Sequence, residues 1–220
     1  MTEAFKPPEN IDPAGNEDCL VLNVYTRATG AEAGATRPVM VWLHGGGFSY
    51  GQAGLNIYRG HNLAQNHDVV FVGVNHRLNI FGFLALDSAG VPGFKGSANA
   101  GMMDIVMALE WVRDNIAQFG GDPGNVTIFG QSGGGAKVST LLSMPAAKGL
   151  FHKAVIQSGA GLRAQTKEDA ADVVSELILN LGISASIAAE QLPKLSTEDI
   201  LTAAKEMGVN KFRPSIDDVT

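Results

Sequence analysis

The apolar positions of the chain follow two alternating patterns. Short runs rich in β-branched and aromatic residues predict strands, and they occupy residues 20–26, 38–44, 69–75, 125–129 and 153–159. Between Met102 and Phe119 the apolar residues recur at helical spacing, with a stop signal at residues 120–121. A chain that alternates strands and helices favours an α/β fold with a mostly parallel sheet.

The C-terminal quarter has a different pattern. From Thr166 onward the spacing predicts only helices, in about three segments with breaks near Gly182 and Pro193. Residues 27–38, a run of small and polar residues, predict a hairpin loop. We therefore expect one domain over residues 1–220, in which residues 166–220 are mainly helical.

Composition narrows the class of protein. A chain of 220 residues with 45% hydrophobic positions can bury one sizeable core. A net charge of −6 without long charge runs argues against a nucleic-acid partner. No apolar run approaches the length of a membrane span, so we expect no membrane partner. The first ten residues lack the apolar segment of a signal peptide, which favours the cytoplasm but leaves the compartment open.

Cysteine content limits the possible metal and redox chemistry. Cys19 is the single cysteine, so an intrachain disulfide and a cysteine-based zinc site are both excluded. We expect no metal and no cofactor.

The glycine-rich segment TIFGQSGGGAKVST, residues 127–140, admits two interpretations. A phosphate-binding loop of the G-x-x-x-x-G-K-[ST] type needs glycine before its lysine and a hydroxyl after it. Lys137 instead follows Ala136 and precedes Val138. The phosphate-binding interpretation therefore fails at two required positions.

The same segment fits a nucleophile elbow. GQSGG at residues 130–134 matches G-x-S-x-G, with Ser132 as the candidate nucleophile. A predicted strand precedes the motif and a helix is predicted after it, with three residues packing inward: Val138, Leu141 and Leu142. The pattern alone also fits an ordinary glycine-rich turn, so a second motif is needed.

The second motif is HGGGF at residues 44–48, directly after the apolar run VMVWL. Attack on an ester carbonyl creates an oxyanion, which needs backbone N–H donors that converge on one point. Consecutive glycines allow adjacent amides to point the same way. The H-G-G-G pattern upstream of G-x-S-x-G is the order found in lipases and esterases.

Six segments in order resemble the type B carboxylesterase family, the cholinesterase-like branch of the α/β-hydrolases: NEDCLVLNVYT, VMVWLHGGGFSYG, VGVNHRLNIFGFL, NAGMMDIVMALEWVRDNIAQFGGDP, VTIFGQSGGGAKVSTLL and GLFHKAVIQSG. The resemblance implies an α/β-hydrolase fold and a small-molecule ester substrate, hydrolysed through an acyl-enzyme on Ser132. It implies oxyanion donors at Gly46, Gly47 and Gly133.

The chain departs from the family pattern at three positions. Gln131 and Gly133 stand where the family usually has Glu and Ala. The change to Gln131 removes a negative charge beside the nucleophile and is expected to alter the preference for cationic substrates. Gly133 still offers its backbone N–H. Asn79 replaces a usual glycine, and we expect it to be a tolerated turn residue.

The resemblance also implies two expectations about charged residues. Arg77 and Asp104 correspond to a family ion pair below the active site, so we expect their charged groups within about 4 Å of each other. Glu17 would pair in the family with an arginine of an N-terminal region that this chain lacks. We expect Glu17 to be exposed or paired with another base.

The chain lacks an evident general base. In this fold the triad follows the order serine, acid, histidine, but the only histidine after Ser132 is His152, which we expect to be structural. Three others, His61, His67 and His76, are expected at the surface or in the core, and His44 belongs to the glycine loop. We therefore expect the N-terminal part of a longer esterase, inactive alone, whose missing C-terminal part carries the acid, the histidine and the later strands.

A second class of function remains open at this point. Cholinesterase-like adhesion proteins keep the fold as non-catalytic binding modules and typically lose the serine. The intact Ser132 and the intact glycine loop argue against that alternative.

Overall fold

The computed structural model describes residues 16–27, 29, 36–208 and 210–217, and the statements below refer to these residues. Most of the hairpin loop predicted at residues 27–38 lies outside them. The chain divides into two compact units. The first contains residues up to Gly47, Gly51–His76 and Asp104–Gly161, and the second contains Phe48–Tyr50, Arg77–Met103 and the residues from Leu162 onward.

The first unit is built on a five-stranded sheet with the order β1-β3-β2-β4-β5. Its strands are β1 (Leu22–Tyr25), β2 (Arg37–Leu43), β3 (Val70–Val74), β4 (Gly121–Gln131) and β5 (Lys153–Gln157). β1 pairs antiparallel with β3, and the other neighbours are parallel. The prediction of an α/β fold with a mostly parallel sheet is confirmed.

The central strands carry the core of this unit. β3 is buried at all five positions, and Val41 of β2 is fully buried between its neighbours Val72 and Ile128. Such continuous apolar runs are typical of parallel strands covered on both faces. The ends of β2 and β3 lie within one residue of their predicted bounds.

β4 begins four residues earlier than the predicted strand at 125–129. Its first residue, Gly121, pairs with Arg37, whose N–H also donates to the carbonyl of Gly120 at 3.1 Å. The register shifts between Arg37 and Val39. The prediction of the strand start was wrong because the backbone of the turn-forming sequence GDPGN still forms part of the ladder.

Seven helices of the described residues accompany the strands: α1 (His61–His67), α2 (Asn79–Phe83), α3 (Ala100–Asn115), α4 (Gly133–Ser143), α5 (Lys167–Asn180), α6 (Ala188–Gln191) and α7 (Thr197–Met207). α3 is followed by one short 3-10 turn, Ile116–Phe119. The predicted buried face of this segment is confirmed at all of its positions: Met102, Ile105, Val106, Leu109, Val112 and Ile116.

α4 confirms two of its three predicted core residues. Val138 and Leu141 are buried, but Leu142 is 56% exposed, so that prediction was wrong. The buried face of the helix is centred on Gly134, Lys137 and Leu141. Leu142 lies about 100° further around the helix axis than Leu141 and therefore falls outside this face.

The second unit is rich in helices. α5 begins after the N-cap Thr166, whose side chain accepts a hydrogen bond from Asp169 N at 3.1 Å, and Ser196 caps α7 in the same way. A parallel bridge joins Gln165 and Ser215. The assignment of residues 1–220 to a single domain stays a prediction. Within the described residues, no helix has the length and apolar character needed to span a membrane.

Candidate active site

Ser132 lies at the junction between β4 and α4, in a backbone conformation that is rare for a residue with a side chain. Its φ is 56° and its ψ is −121°. The strain is held by two hydrogen bonds, because Ser132 N donates to the carbonyl of Gln157 at 2.8 Å and its carbonyl accepts from Ala136 N at 3.1 Å. The residue is exposed. This is the geometry of a nucleophile elbow, as the motif predicted.

Glycine is required at the elbow because the end of β2 lies against it. An ideal Cβ on Gly134 would overlap the carbonyl of Leu43, and one on Gly130 would lie 2.7 Å from the same oxygen. Any larger residue at these positions would push the start of α4 away from the sheet. The local sequence therefore permits a bend that places Ser132 at the carboxyl end of the parallel strands.

The glycine motif after β2, residues 44–47, is here called the oxyanion loop. Gly46 and Gly47 have φ values of 97° and 63°, which favour glycine. An ideal Cβ on Gly133 would lie 2.5 Å from the Cα of Gly47. The residue after the candidate nucleophile therefore touches the backbone of the loop, and the structure brings the two sequence motifs together.

His44 begins the oxyanion loop and is almost fully buried. Its Nδ1 donates to the carbonyl of Gly45 at 2.8 Å, and its ring stacks on His76 with centroids 5.0 Å apart. Burial, together with the nearby charge of Lys137, lowers the pKa of His44 to about 3. His44 is therefore neutral near pH 7 and too weak a base to take the serine proton.

Lys137 is the site residue that sequence reasoning missed. It lies on α4, is fully buried, and its Nζ donates to the carbonyls of His44 at 3.0 Å and Gly47 at 2.7 Å. Burial lowers the pKa of its ammonium to about 7. A signal was present in the sequence, because Lys137 is one helical turn from both Gly133 and Leu141, on the face that packs inward.

Three other residues that the sequence analysis singled out have distinct positions. Gln131 is exposed. His152 is structural, as predicted, because its Nδ1 accepts a hydrogen bond from Val126 N at 3.1 Å. Asn79 has a φ of 54°, and its side-chain oxygen accepts from Ile80 N at 2.9 Å. Asparagine tolerates this left-handed conformation better than most residues, which agrees with its expected role.

The two predictions about charged residues that the resemblance implied have different outcomes. Glu17 is exposed, as predicted. Asp104 is buried, and its ion pair with Arg77 stays a prediction.

The described residues supply no complete triad. The chain has five histidines. His61 and His67 are exposed on α1, His152 accepts from the backbone of Val126, and His44 stacks on His76. In that same part, no group of three or more His, Cys, Asp or Glu side chains lies close enough to hold a metal ion.

Comparisons with known proteins agree with the geometry. The model of the carboxylesterase family matches residues 2–220. The chain is 43% identical over 216 residues to the para-nitrobenzyl esterase of Bacillus subtilis (strain 168), covering 94% of this chain and 42% of that protein. It is 50% identical over 154 residues to liver carboxylesterase 1 of Oryctolagus cuniculus, covering 70% of this chain and 26% of the relative.

Solved structures give the same result. A thermophilic para-nitrobenzyl esterase matches with a TM-score of 0.82 at 41% identity, covering 92% of this chain and 42% of the other. A carboxylesterase of Geobacillus stearothermophilus at pH 6.8 matches with a TM-score of 0.86 at 38% identity, covering 96% and 45%. The chain thus spans less than half the length of these relatives. It has the α/β-hydrolase fold and belongs to the carboxylesterase family.

Proposed function

We propose that the chain carries the nucleophile and the oxyanion hole of a serine carboxylic-ester hydrolase. Ser132 is the nucleophile of this proposal, and the backbone amides of Gly46, Gly47 and Gly133 are the oxyanion donors. The observation that carries the proposal is the contact between Gly133 and Gly47, because it joins the elbow to the oxyanion loop beside Ser132. The names of the relatives support the same reaction class.

The proposed reaction begins when Ser132 Oγ attacks the ester carbonyl carbon. The carbonyl oxygen becomes an oxyanion, which the amides of residues 46, 47 and 133 stabilise. Gly133 is the first residue of α4, so its N–H has no acceptor within the helix and lies at the positive end of the helix dipole. Each oxyanion donor is worth about 10²–10³ in kcat. Departure of the alcohol then leaves an acyl-enzyme on Ser132, which water hydrolyses.

The proton of Ser132 needs an acceptor. Near pH 7 the ring of His44 is neutral and weakly basic, and the Nδ1 of His152 is engaged with the backbone. We propose that a region matching the remaining length of the relatives supplies the histidine and its acid. The 220-residue chain alone would then lack general-base catalysis, which contributes about 10²–10⁴-fold.

Hydrolysis of p-nitrophenyl butyrate tests the proposal. The experiment uses the full-length form, which is the complete translation product containing residues 1–220, extended where needed by the C-terminal region of the Bacillus subtilis esterase. We expect turnover in this form and a loss of about 10⁴-fold or more in Ser132→Ala. Residues 1–220 alone are expected to show little or no turnover.

Ser139→Ala is the matched control, since Ser139 lies on the same helix and its hydroxyl donates to the carbonyl of Gly135 at 3.2 Å. This variant should retain the wild-type rate within about threefold. A folded full-length form without turnover would favour the non-catalytic binding module. Equal rates in the wild type and Ser132→Ala would contradict the assignment of the nucleophile.

A further inference from the structure

Lys137 lies on the buried face of α4, where a helix normally carries an apolar side chain. It is fully buried, and its neighbours on the inward face of α4 are glycine and leucine. Burying an ammonium is unfavourable unless hydrogen bonds compensate for the lost water. A lysine at this position therefore needs an explanation beyond packing, and its contacts provide one.

Those contacts join two parts of the candidate site. Lys137 Nζ donates to the carbonyl of His44, the first residue of the oxyanion loop, and to that of Gly47, the last. The lysine itself lies one turn into the helix whose N-cap is Ser132. One side chain thus ties both ends of the loop to the element that presents the nucleophile.

Gly133 permits the loop to be held this closely. The backbone of Gly47 lies where a Cβ on Gly133 would be, so the two residues meet without an intervening side chain. The Nζ of Lys137 holds the carbonyl of the same Gly47 at 2.7 Å. Gly133 and Lys137 therefore both act on Gly47. Gly133 lets the backbone of Gly47 approach, and Lys137 fixes it there by a hydrogen bond.

A direct role for Lys137 as the base of Ser132 fits the geometry less well. Both of its resolved hydrogen bonds go to backbone carbonyls of the oxyanion loop. The hydrogen bonds that the structure gives for Ser132 are backbone bonds with Gln157 and Ala136. A serine–lysine dyad requires the nucleophile and the base within hydrogen-bond reach.

We propose that Lys137 is a positioning residue, which fixes the oxyanion loop against the helix of the nucleophile and so sets the amides of Gly46 and Gly47 for the transition state. The inference rests on the proposed function for its kinetic consequence, but its structural consequence can be measured separately. Donors held in place before the reaction stabilise the oxyanion without reorganisation, so a loosened loop should lower kcat more than it raises KM.

The test compares three variants of the full-length form. Lys137→Met keeps the length of the side chain and removes its donors, and Lys137→Gln is the smaller change if the methionine variant fails to fold. Lys153→Met is the matched control, since Lys153 is an exposed lysine of β5 whose side chain donates to Asn125. We expect kcat for p-nitrophenyl butyrate to fall about 10- to 100-fold in the Lys137 variants, with KM changed by about threefold or less.

Amide hydrogen exchange gives the second measurement and does not depend on turnover. The peptide covering residues 44–51 should exchange about tenfold faster in Lys137→Met, while a peptide covering β3 stays as protected as in the wild type. Unchanged exchange at residues 44–51 would overturn the inference, whether or not the protein is an esterase. A change in KM alone, or a loss as complete as that of Ser132→Ala, would also overturn it, the latter in favour of Lys137 as the base. Turnover with no Ser132 dependence would refute the proposed function instead.

Discussion

The elbow at the end of β4 and the strand next to it, β5, are packed in opposite ways. Where the elbow meets the oxyanion loop, His44, Gly133, Gly134 and Lys137 are all buried, and the backbone of Gly133 lies directly on that of Gly47. β5 pairs with β4 along its whole length, yet all five of its residues are exposed.

This difference separates two requirements of the proposed chemistry. The position of Ser132 relative to the proposed oxyanion donors depends on contacts between residues 43–47 and 130–137, which the described residues supply. Proton transfer from Ser132 is assigned in the proposal to a histidine of the region that matches the remaining length of the relatives. The packing that positions Ser132 can therefore be complete in this chain without the proposed histidine base.

The largest effect is expected where the elbow is packed most tightly. Gly133→Ala would place a methyl group against the backbone of Gly47. Although the family usually has alanine here, Lys137 holds Gly47 too close to residue 133 for a methyl group in this chain. We therefore expect kcat of the full-length form to fall about 10²-fold, because the displaced loop misaligns a proposed oxyanion donor. Gly161→Ala is the control, since its Cβ would meet only Ala136 at an ordinary 3.9 Å.

A double-mutant cycle sharpens this prediction. If Lys137 holds Gly47 close to Gly133, the Gly133→Ala substitution should be less harmful once Lys137→Met has released the loop. We expect the two losses in kcat to combine to less than their product, with a coupling of about 1 kcal/mol or more. Losses that multiply would mean that the two residues act on the loop independently.

The next effect concerns the dependence of stability on pH. Burial lowers the pKa of Lys137 from 10.5 to about 7. Below about pH 7 the ammonium is charged in the folded and unfolded states, so the burial penalty is fully present. Above that value the unfolded chain keeps a proton that the folded chain releases, so the free energy of unfolding rises with pH until about pH 10.5.

Urea unfolding of the full-length form measures this contribution. Relative to Lys137→Met, the wild type should gain about 2 kcal/mol of unfolding free energy between about pH 7 and pH 8.5. His44, whose carbonyl accepts from the lysine, is buried and stays neutral over this range, and the ring on which it stacks, His76, is also buried. A constant difference between wild type and variant across the range would contradict burial of the ammonium.

The sequence predicted the apolar strands and the two glycine motifs well, for identifiable reasons. β2 and β3 are largely apolar runs rich in valine, and the motifs require glycine wherever backbones approach. The start of β4 was missed because its ladder begins in a run of turn residues. Leu142 was misplaced because α4 buries the face that carries Gly134, Lys137 and Leu141. Lys137 was overlooked because the sequence analysis considered it only as part of a phosphate-binding loop, whereas its Nζ donates to the oxyanion loop.

The smallest effect is expected at β5. Val155 is 44% exposed in this structure, so Val155→Lys in residues 1–220 should change the unfolding free energy by about 0.5 kcal/mol or less and reduce aggregation of the strand edge. If the rest of the family fold covers β5 in the full-length form, the same lysine should destabilise that form by about 2 kcal/mol or more. Equal effects in the two forms, measured by urea unfolding and light scattering, would count against such coverage.

Covalent labelling with a fluorophosphonate tests the central claim most directly, since the probe reacts with an activated serine and needs no substrate assignment. Peptide mapping by mass spectrometry of the labelled full-length form should place the phosphonyl adduct on Ser132, and Ser132→Ala should remain unlabelled. An adduct confined to another residue, or a folded full-length form that takes up no label, would contradict the account of Ser132 as an esterase nucleophile.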